Sequence, residues 1–326
     1  VPQRLEQLNH WLGKELGLPD YEIAPASADA SFRRYFRLRF DGESRIAMDA
    51  PPQQEDSRPF VAIGQLLAQA GLNVPQILQQ ELEQGFLLLS DLGSRPYLDA
   101  LDAGSVERLY GDAMGALAVM QACVPVEGLP PYDEALLQRE MALFPEWFLT
   151  THLGLTLSEA EQKLLADTFA LLAQNALEQP QAFVHRDYHS RNLMVCRHNP
   201  GILDFQDAVR GPITYDLVSL LRDCYIAWPR EQVEEWVQGY HDIALDHGII
   251  RQPMSAKFLR WFDLMGVQRH LKAIGIFARL NHRDGKPGYL KDIPRTLGYV
   301  EEVSARYPEL TAFASFIKER VRPAMA

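Results

Sequence analysis

The hydrophobic period of the chain changes near Tyr97, and this change limits the fold more than any other feature. Before it, short apolar runs alternate with turn residues. After it, apolar positions recur every three to four residues over long stretches. Strand periods followed by helix periods predict an α+β chain, with a small sheet-rich part ahead of a larger, mainly helical one. In the first part, residues 23–40 and 44–51 read as two strands around Asp41-Gly42, with a small-residue loop at 27–31 inside the first. A helix from about Arg58 to Ala70, stopped by Gly71, and a second strand pair, VPQILQQEL and GFLLLSDLG, complete it. The opening segment sets Leu5, Leu8, Trp11, Leu12 and Leu16 at helical spacing, the pattern of an amphipathic surface helix and not of a signal peptide.

The second part carries the helical periods SVERLYGDAMGALAVMQAC, DEALLQREMALFPEWFL, SEAEQKLLADTFALLAQNAL and EQVEEWVQGYHDIALDHG. No repeat, low-complexity tract or flexible linker separates the parts, which predicts lobes at 1–92 and 93–326 joined by a short hinge at Leu89 to Gly93. A length of 326 residues at 47% hydrophobic content suits two domains or one bilobal unit. The formal charge of -11, from 43 acidic against 32 basic residues, repels phosphate backbones and anionic lipid, so neither nucleic acid nor a membrane is an expected partner. Cys123, Cys196 and Cys224 lie far apart with no CxxC spacing, and no stretch approaches the roughly 20 apolar residues of a bilayer span. A cytoplasmic protein is expected, and nothing implies an obligate protein partner.

One strand-rich island, AFVHRDYHSRNLMVCRHNPGILDFQDA, interrupts the helical part. Phosphoryl transfer needs a carboxylate to orient the attacking hydroxyl and oxygen ligands that hold magnesium against nucleotide phosphates. The island offers both. His185-Arg186-Asp187 is followed after four residues by Asn192, the HRDxxxxN pattern of kinase catalytic loops, and Asp204 stands twelve residues beyond Asn192 at the end of the next strand. Pairing of NLMV with GILDF across Asn199-Pro200-Gly201 would return Asp204 to Asn192, where two oxygens can share a metal, with Asp187 on the substrate side.

HRDYHSRNLM and ILDFQDA resemble the catalytic motifs of the aminoglycoside phosphotransferase and choline kinase superfamily, and the resemblance covers nearly the whole chain. It implies a protein-kinase-like bilobal fold, ATP as donor and Mg2+ as cofactor. More narrowly, MDAPP at 48–52, LLLSDLG at 87–93, DLVSLLRDCYIAWP at 216–229 and VQRHLKAIGIFARL at 267–280 are similar to the anomeric sugar kinases of cell-wall recycling. Those enzymes phosphorylate N-acetylmuramate and N-acetylglucosamine at the C1 hydroxyl. The resemblance implies Asp187 as base, Asn192 and Asp204 as magnesium ligands, and Ser90, Asp91 and Leu92 as backbone contacts for adenine. It also implies supporting roles for His185, His189 and Asp216. A kinase of an aminoglycoside, choline or homoserine is the rival reading among enzymes, and a nucleotide-binding pseudokinase is the rival outside them. Joint retention of Asp187, Asn192 and Asp204 weighs against the pseudokinase.

The chain departs from the kinase pattern in its first part. Met48 or Asp49 stands where a strand lysine is expected, and the helix PFVAIGQLLAQAG has no acidic residue to pair with one. Arg33, Arg34 or Arg37 can supply the missing cation, and the loop SADAS offers the Ser27 and Ser31 hydroxyls to phosphate in place of glycine. For the acceptor, Gln206, Asp207 and Arg210 follow the metal site, with Arg210 and Arg222 suited to a carboxylate or to ordinary salt bridges. A helix from about Lys257 to Leu280 sets Arg269, Lys272 and Arg279 off its apolar stripe, a basic wall for an acidic sugar or simply a solvated basic face. Tyr225, Trp228, Trp236 and Tyr289 suit sugar stacking or plain packing.

Overall fold

The computed structural model describes residues 2–26 and 32–325. The chain divides into two compact units, Val1–Leu109 with Arg191–Asp207, and Tyr110–Ser190 with Ala208–Ala326. This division differs from a single cut at 92, because residues 93–109 and the hairpin 191–207 belong with the first unit. Backbone pairing explains the hairpin's place: the Val195 N–H donates to the Arg95 carbonyl at 2.9 Å and the Ile202 N–H to that of Asn73 at 2.8 Å.

The first unit holds a five-stranded antiparallel sheet in the order β1-β2-β3-β5-β4. Its strands are β1 Glu22–Pro25, β2 Arg34–Phe40, β3 Glu43–Asp49, β4 Ile77–Glu81 and β5 Phe86–Ser90. Asp41 and Gly42 both take positive φ, 50° and 76°, as a two-residue hairpin in a right-twisted sheet requires. Helix α1, Pro2–His10, and the turn after it lay Leu8, Trp11 and Leu12 on Leu38, Ala47, Phe86 and Leu88. Phe86 through Leu89 are buried without alternation, the mark of a strand covered on both faces. Helix α2, Arg58–Gln69, links β3 to β4.

The second unit is mainly helical: α3 Val106–Cys123, which begins in the first unit, α4 Glu134–Met141, α5 Glu159–Leu177, α6 Tyr215–Leu221, α7 Arg230–Asp246, α8 Ser255–Asp284 and α9 Ile293–Ser304. Strands β6 Gln181–Val184 and β9 Val209–Pro212 pair antiparallel beside them. The expected single helix over 133–149 is broken after Met141, with wider turns over Phe144–His152 that include Pro145, which lacks an N–H for a regular ladder. Helix α8 packs against α5, α6 and α9 and is buried on more than one face, so the expectation of a solvated basic face fails at Arg269 and Lys272, which are interior. Among the described residues no helix is long and apolar enough to cross a membrane.

Gly275 of α8 sits where a Cβ would lie 2.4 Å from the backbone carbon of Leu143. Gly266 in the same helix would meet nothing closer than Val218 at 3.7 Å. Gly275→Ala should therefore destabilise the protein by about 2–3 kcal/mol, while Gly266→Ala leaves the thermal midpoint unchanged or higher. Parallel melting curves of the two variants check this.

Candidate active site

In the second unit, β6 runs directly into the segment His185-Arg186-Asp187. Asp216, in the first turn of α6, is fully buried, and its carboxylate accepts the backbone N–H groups of His185 at 2.6 Å and Arg186 at 3.0 Å. Arg186 holds a φ of 78°, a conformation that side-chain-bearing residues rarely adopt and that the Asp216 bond secures. At the other end of the loop, the Asp223 carboxylate accepts the Ser190 N–H at 2.9 Å. Between these anchors the Asp187 N–H meets Nδ1 of His185 at 3.3 Å, Tyr188 donates to the Ala113 carbonyl at 2.9 Å, and the His189 ring stands edge-on to Tyr225.

Burial pushes the Asp187 carboxyl upward, but Lys272, His189, Arg269 and Arg186 together outweigh it and hold the pKa below the ordinary carboxylate range. Asp216 goes the other way, to about 7, because of burial and despite the bonds from His185 and Arg186, with the charge of Asp187 adding to the rise. A buried hub lies nearby. Glu140 of α4 accepts from Arg186 Nη2 at 2.5 Å and the Tyr132 hydroxyl and pairs with Lys272 Nζ at 3.0 Å, and Lys272 also donates to the Tyr215 hydroxyl at 3.0 Å. Sequence reasoning missed Glu140 and Asp223. Asp223 had a signal, seven residues or two helical turns after Asp216, whereas nothing local links Glu140 to a lysine 132 positions away.

In the first unit, β7 Leu193–Met194 and β8 Gly201–Ile202 pair antiparallel with Leu193 opposite Ile202. The Leu203 N–H donates to the Asn192 carbonyl at 2.9 Å. This register brings Asn192 and Asp204 together, the Asn192 amide donating to Asp204 Oδ2 at 3.3 Å while Gln206 donates to Oδ1 at 2.8 Å. Asp204 takes a φ of 64° and is exposed, and the next residue, Phe205, is buried with its ring 4.8 Å from that of Phe60. The aromatic anchor turns the carboxylate outward. One carboxylate and an amide, with no group of three His, Cys, Asp or Glu among the described residues, do not make an all-protein metal cage. They do fit magnesium, a hard cation held through one or two protein oxygens together with phosphates and water.

Of the residues expected to meet the nucleotide, Ser31 lies outside the described residues. Met48 is buried and pairs with Leu87 in the sheet. Its neighbour Asp49 is fully buried and takes two arginines: Arg34, its cross-strand partner, with Nε at 3.1 Å, and Arg4 of α1, which also donates to the Gln84 carbonyl at 2.7 Å. Arg33 pairs with Glu55 at 3.2 Å. At the end of β5, the Ser90 N–H donates to the Gln76 carbonyl; just beyond it Asp91 is fixed by Arg37 at 2.6 Å, the Ser44 hydroxyl and the Gly93 N–H, while Leu92 packs beside Gly201.

The residues expected to meet the acceptor separate. Asp207 and Arg210 are exposed and Gln206 is buried against Asp204. Arg222 is buried and bound to Glu302 at 2.8 Å, against the ring of Tyr299. Arg279 is half-buried, and burial followed by the charge of Arg283 lowers its pKa. Trp228 donates to the Tyr110 hydroxyl, Trp236 is buried, and Tyr289 stacks on Phe277, so these rings are engaged in packing.

Residues 22–251 match the phosphotransferase enzyme family. Over 327 aligned positions the chain is 50% identical to an N-acetylmuramate/N-acetylglucosamine kinase of Pseudomonas aeruginosa, covering 96% of each. It is 49% identical to a protein of the same name from Pseudomonas putida, covering 97% of this chain and 96% of that one. Among solved structures it is similar to a choline kinase of Streptococcus pneumoniae, with a TM-score of 0.65 at 12% identity over 93% of this chain and 99% of that one, a likeness of fold. With an Asp-Phe hairpin, a carboxylate-anchored His-Arg-Asp loop, a family match over most of its length and relatives sharing half of its residues, the chain belongs to the phosphotransferase enzyme family.

Proposed function

We propose that the protein is an ATP- and magnesium-dependent kinase that phosphorylates the anomeric C1 hydroxyl of N-acetylmuramate and N-acetylglucosamine, the chemistry of peptidoglycan-sugar recycling. The observation that carries the substrate is 50% identity, over 96% of both chains, to a relative bearing that name. Asp187 orients the sugar hydroxyl and takes up its proton as oxygen bonds to the γ-phosphorus and the bond to the β–γ bridging oxygen breaks, releasing ADP. A carboxylate with a lowered pKa is a weak base, which suits a largely dissociative transfer in which the hydroxyl proton leaves late. Asn192 and Asp204 would hold the metal through amide and carboxylate oxygens; when bound, magnesium neutralises charge on the β- and γ-phosphates. Arg34, steadied by Asp49, stands in for the strand lysine toward those phosphates. Because the Ser90 N–H already serves Gln76, adenine contacts fall mainly to Asp91 and Leu92.

Purified protein with Mg2+ and ATP should release ADP only when either sugar is present. The product should show a phosphorus signal coupled to the anomeric proton and lost in mild acid. ADP release with choline or an aminoglycoside, and none with the sugars, would replace this reading.

Asp187→Asn should lower kcat by about 10²–10⁴-fold with little change in KM for ATP. Asp204→Asn should instead raise the magnesium concentration needed for half-maximal rate. Steady-state kinetics across a magnesium series separates the two effects.

Arg34→Ala should raise KM for ATP by about tenfold, the loss of one charge-assisted contact. A KM unchanged from the parent enzyme removes Arg34 from the phosphate site.

A further inference from the structure

Four arginine and lysine residues of the second unit are buried: Arg222, Arg230, Arg269 and Lys272. Three have a carboxylate in contact. Arg222 meets Glu302 at 2.8 Å, Arg230 meets Asp263 at 2.6 Å, and Lys272 meets Glu140 at 3.0 Å. Arg269 is only 6% exposed, yet no carboxylate among the described residues lies within ion-pair distance of it. Among the described residues its Nε has no hydrogen-bond partner, and its Nη1 reaches only the thiol of Cys224, at 3.7 Å. Removing a guanidinium from water without pairing it is unfavourable, and folded chains tolerate it where another interaction compensates.

Arg269 stands one turn before Lys272 on α8, near enough to Asp187 for each to favour the other's charge. Burial works against the Arg269 cation, and the nearby carboxylates of Asp187 and Asp223 are among the groups that favour it. We propose that Arg269 is the residue that recognises a negatively charged acceptor, binding the lactyl carboxylate of N-acetylmuramate through its guanidinium fork. The assignment rests on the kinase reading above and sharpens it. Lys272 is occupied by Glu140 and Arg222 by Glu302, so neither offers a free cationic face to a ligand. A planar fork matches a carboxylate with two parallel N–H bonds, which a point charge does not. The lactyl group and the reacting hydroxyl are carried by the same sugar ring, so a carboxylate-binding residue that senses Asp187 has the right neighbourhood.

The test compares kcat/KM for N-acetylmuramate, its lactyl carboxamide and N-acetylglucosamine in the parent enzyme, Arg269→Gln and Arg269→Lys, with melting curves to verify folding. Arg269→Gln should lower kcat/KM for N-acetylmuramate about 30-fold more than for N-acetylglucosamine, with Arg269→Lys recovering part of the difference. The parent enzyme should prefer the acid over the carboxamide by about tenfold, and Arg269→Gln should abolish that preference. Equal losses on both sugars would assign Arg269 to the field around Asp187 or to the nucleotide phosphates, and overturn the proposal. If neither variant folds, the parent enzyme decides alone: equal rates with acid and carboxamide overturn it. Absence of turnover on either sugar by the parent enzyme is a separate outcome, which removes the kinase reading and this assignment with it.

Discussion

Two backbone N–H groups on one buried carboxylate hold the His-Arg-Asp loop in shape. His185 and Arg186 leave β6 with no neighbouring strand to accept their N–H groups, and Arg186 must also stay in the left-handed region. Asp216 meets both needs, and it does so from an interior helix, so its charge is purchased at a desolvation cost visible in a pKa near 7. A carboxyl whose pKa rises on folding contributes stability that is complete below the ordinary carboxylate range and lost as pH climbs through about 7. The N–H bonds are what make the ionised form tolerable above that point. Removal of the carboxylate would strand two buried donors, and removal of the donors would strand a buried charge.

The same reasoning explains why cations gather at Asp187. A carboxylate this deeply buried would protonate in an apolar environment, and a protonated acid could not take up the hydroxyl proton in the transfer proposed above. Lys272, Arg269, Arg186 and His189 prevent that, but three of these charges are themselves withdrawn from solvent or nearly so. Glu140 accounts for two of them, holding Arg186 and Lys272 at once, with the Tyr132 hydroxyl on the same carboxylate. The arrangement is a chain of alternating charges running from α4 through α8 to the loop. Each member makes its neighbour's burial possible.

How much of this was legible in the sequence follows from how local each interaction is. Asn192 and Asp204 were readable because a short hairpin fixes their register, and the side-chain period of two leaves few ways to close it. The sheet-then-helix order was readable because period changes survive in any context. The Glu140 hub and the Arg4–Asp49 pair were not, since each joins side chains remote in sequence whose meeting depends on tertiary packing. On α8 the apolar stripe was sound, but assigning its polar residues to solvent assumed a surface helix. A helix covered on several sides meets the partners of its charges in the interior: Lys272 of α8 pairs with Glu140 of α4, and Asp263 of α8 with Arg230 of α7. The boundary at 92 missed the hairpin 191–207 for the same reason, since backbone pairing with Asn73 and Arg95 leaves no trace in periodicity.

The sheet of the first unit shows how a charge pattern can be rebuilt without losing its sense. A strand lysine paired with a helix glutamate sums to zero. Here the strand supplies the acid, Asp49, and two arginines converge on it, one from the facing strand and one from α1. Aspartate is short, so a carboxylate at a buried strand position stays close to the sheet, and the longer arginine side chains must reach in toward it. The sum is then one excess positive charge, with the Arg34 guanidinium still partly exposed at 30% of its side-chain surface. A polyanionic phosphate chain brought to this position would meet more favourable local charge than at a neutral lysine–glutamate pair. The absence of a strand lysine is therefore compatible with nucleotide chemistry on physical grounds, and does not point to a site that has lost it.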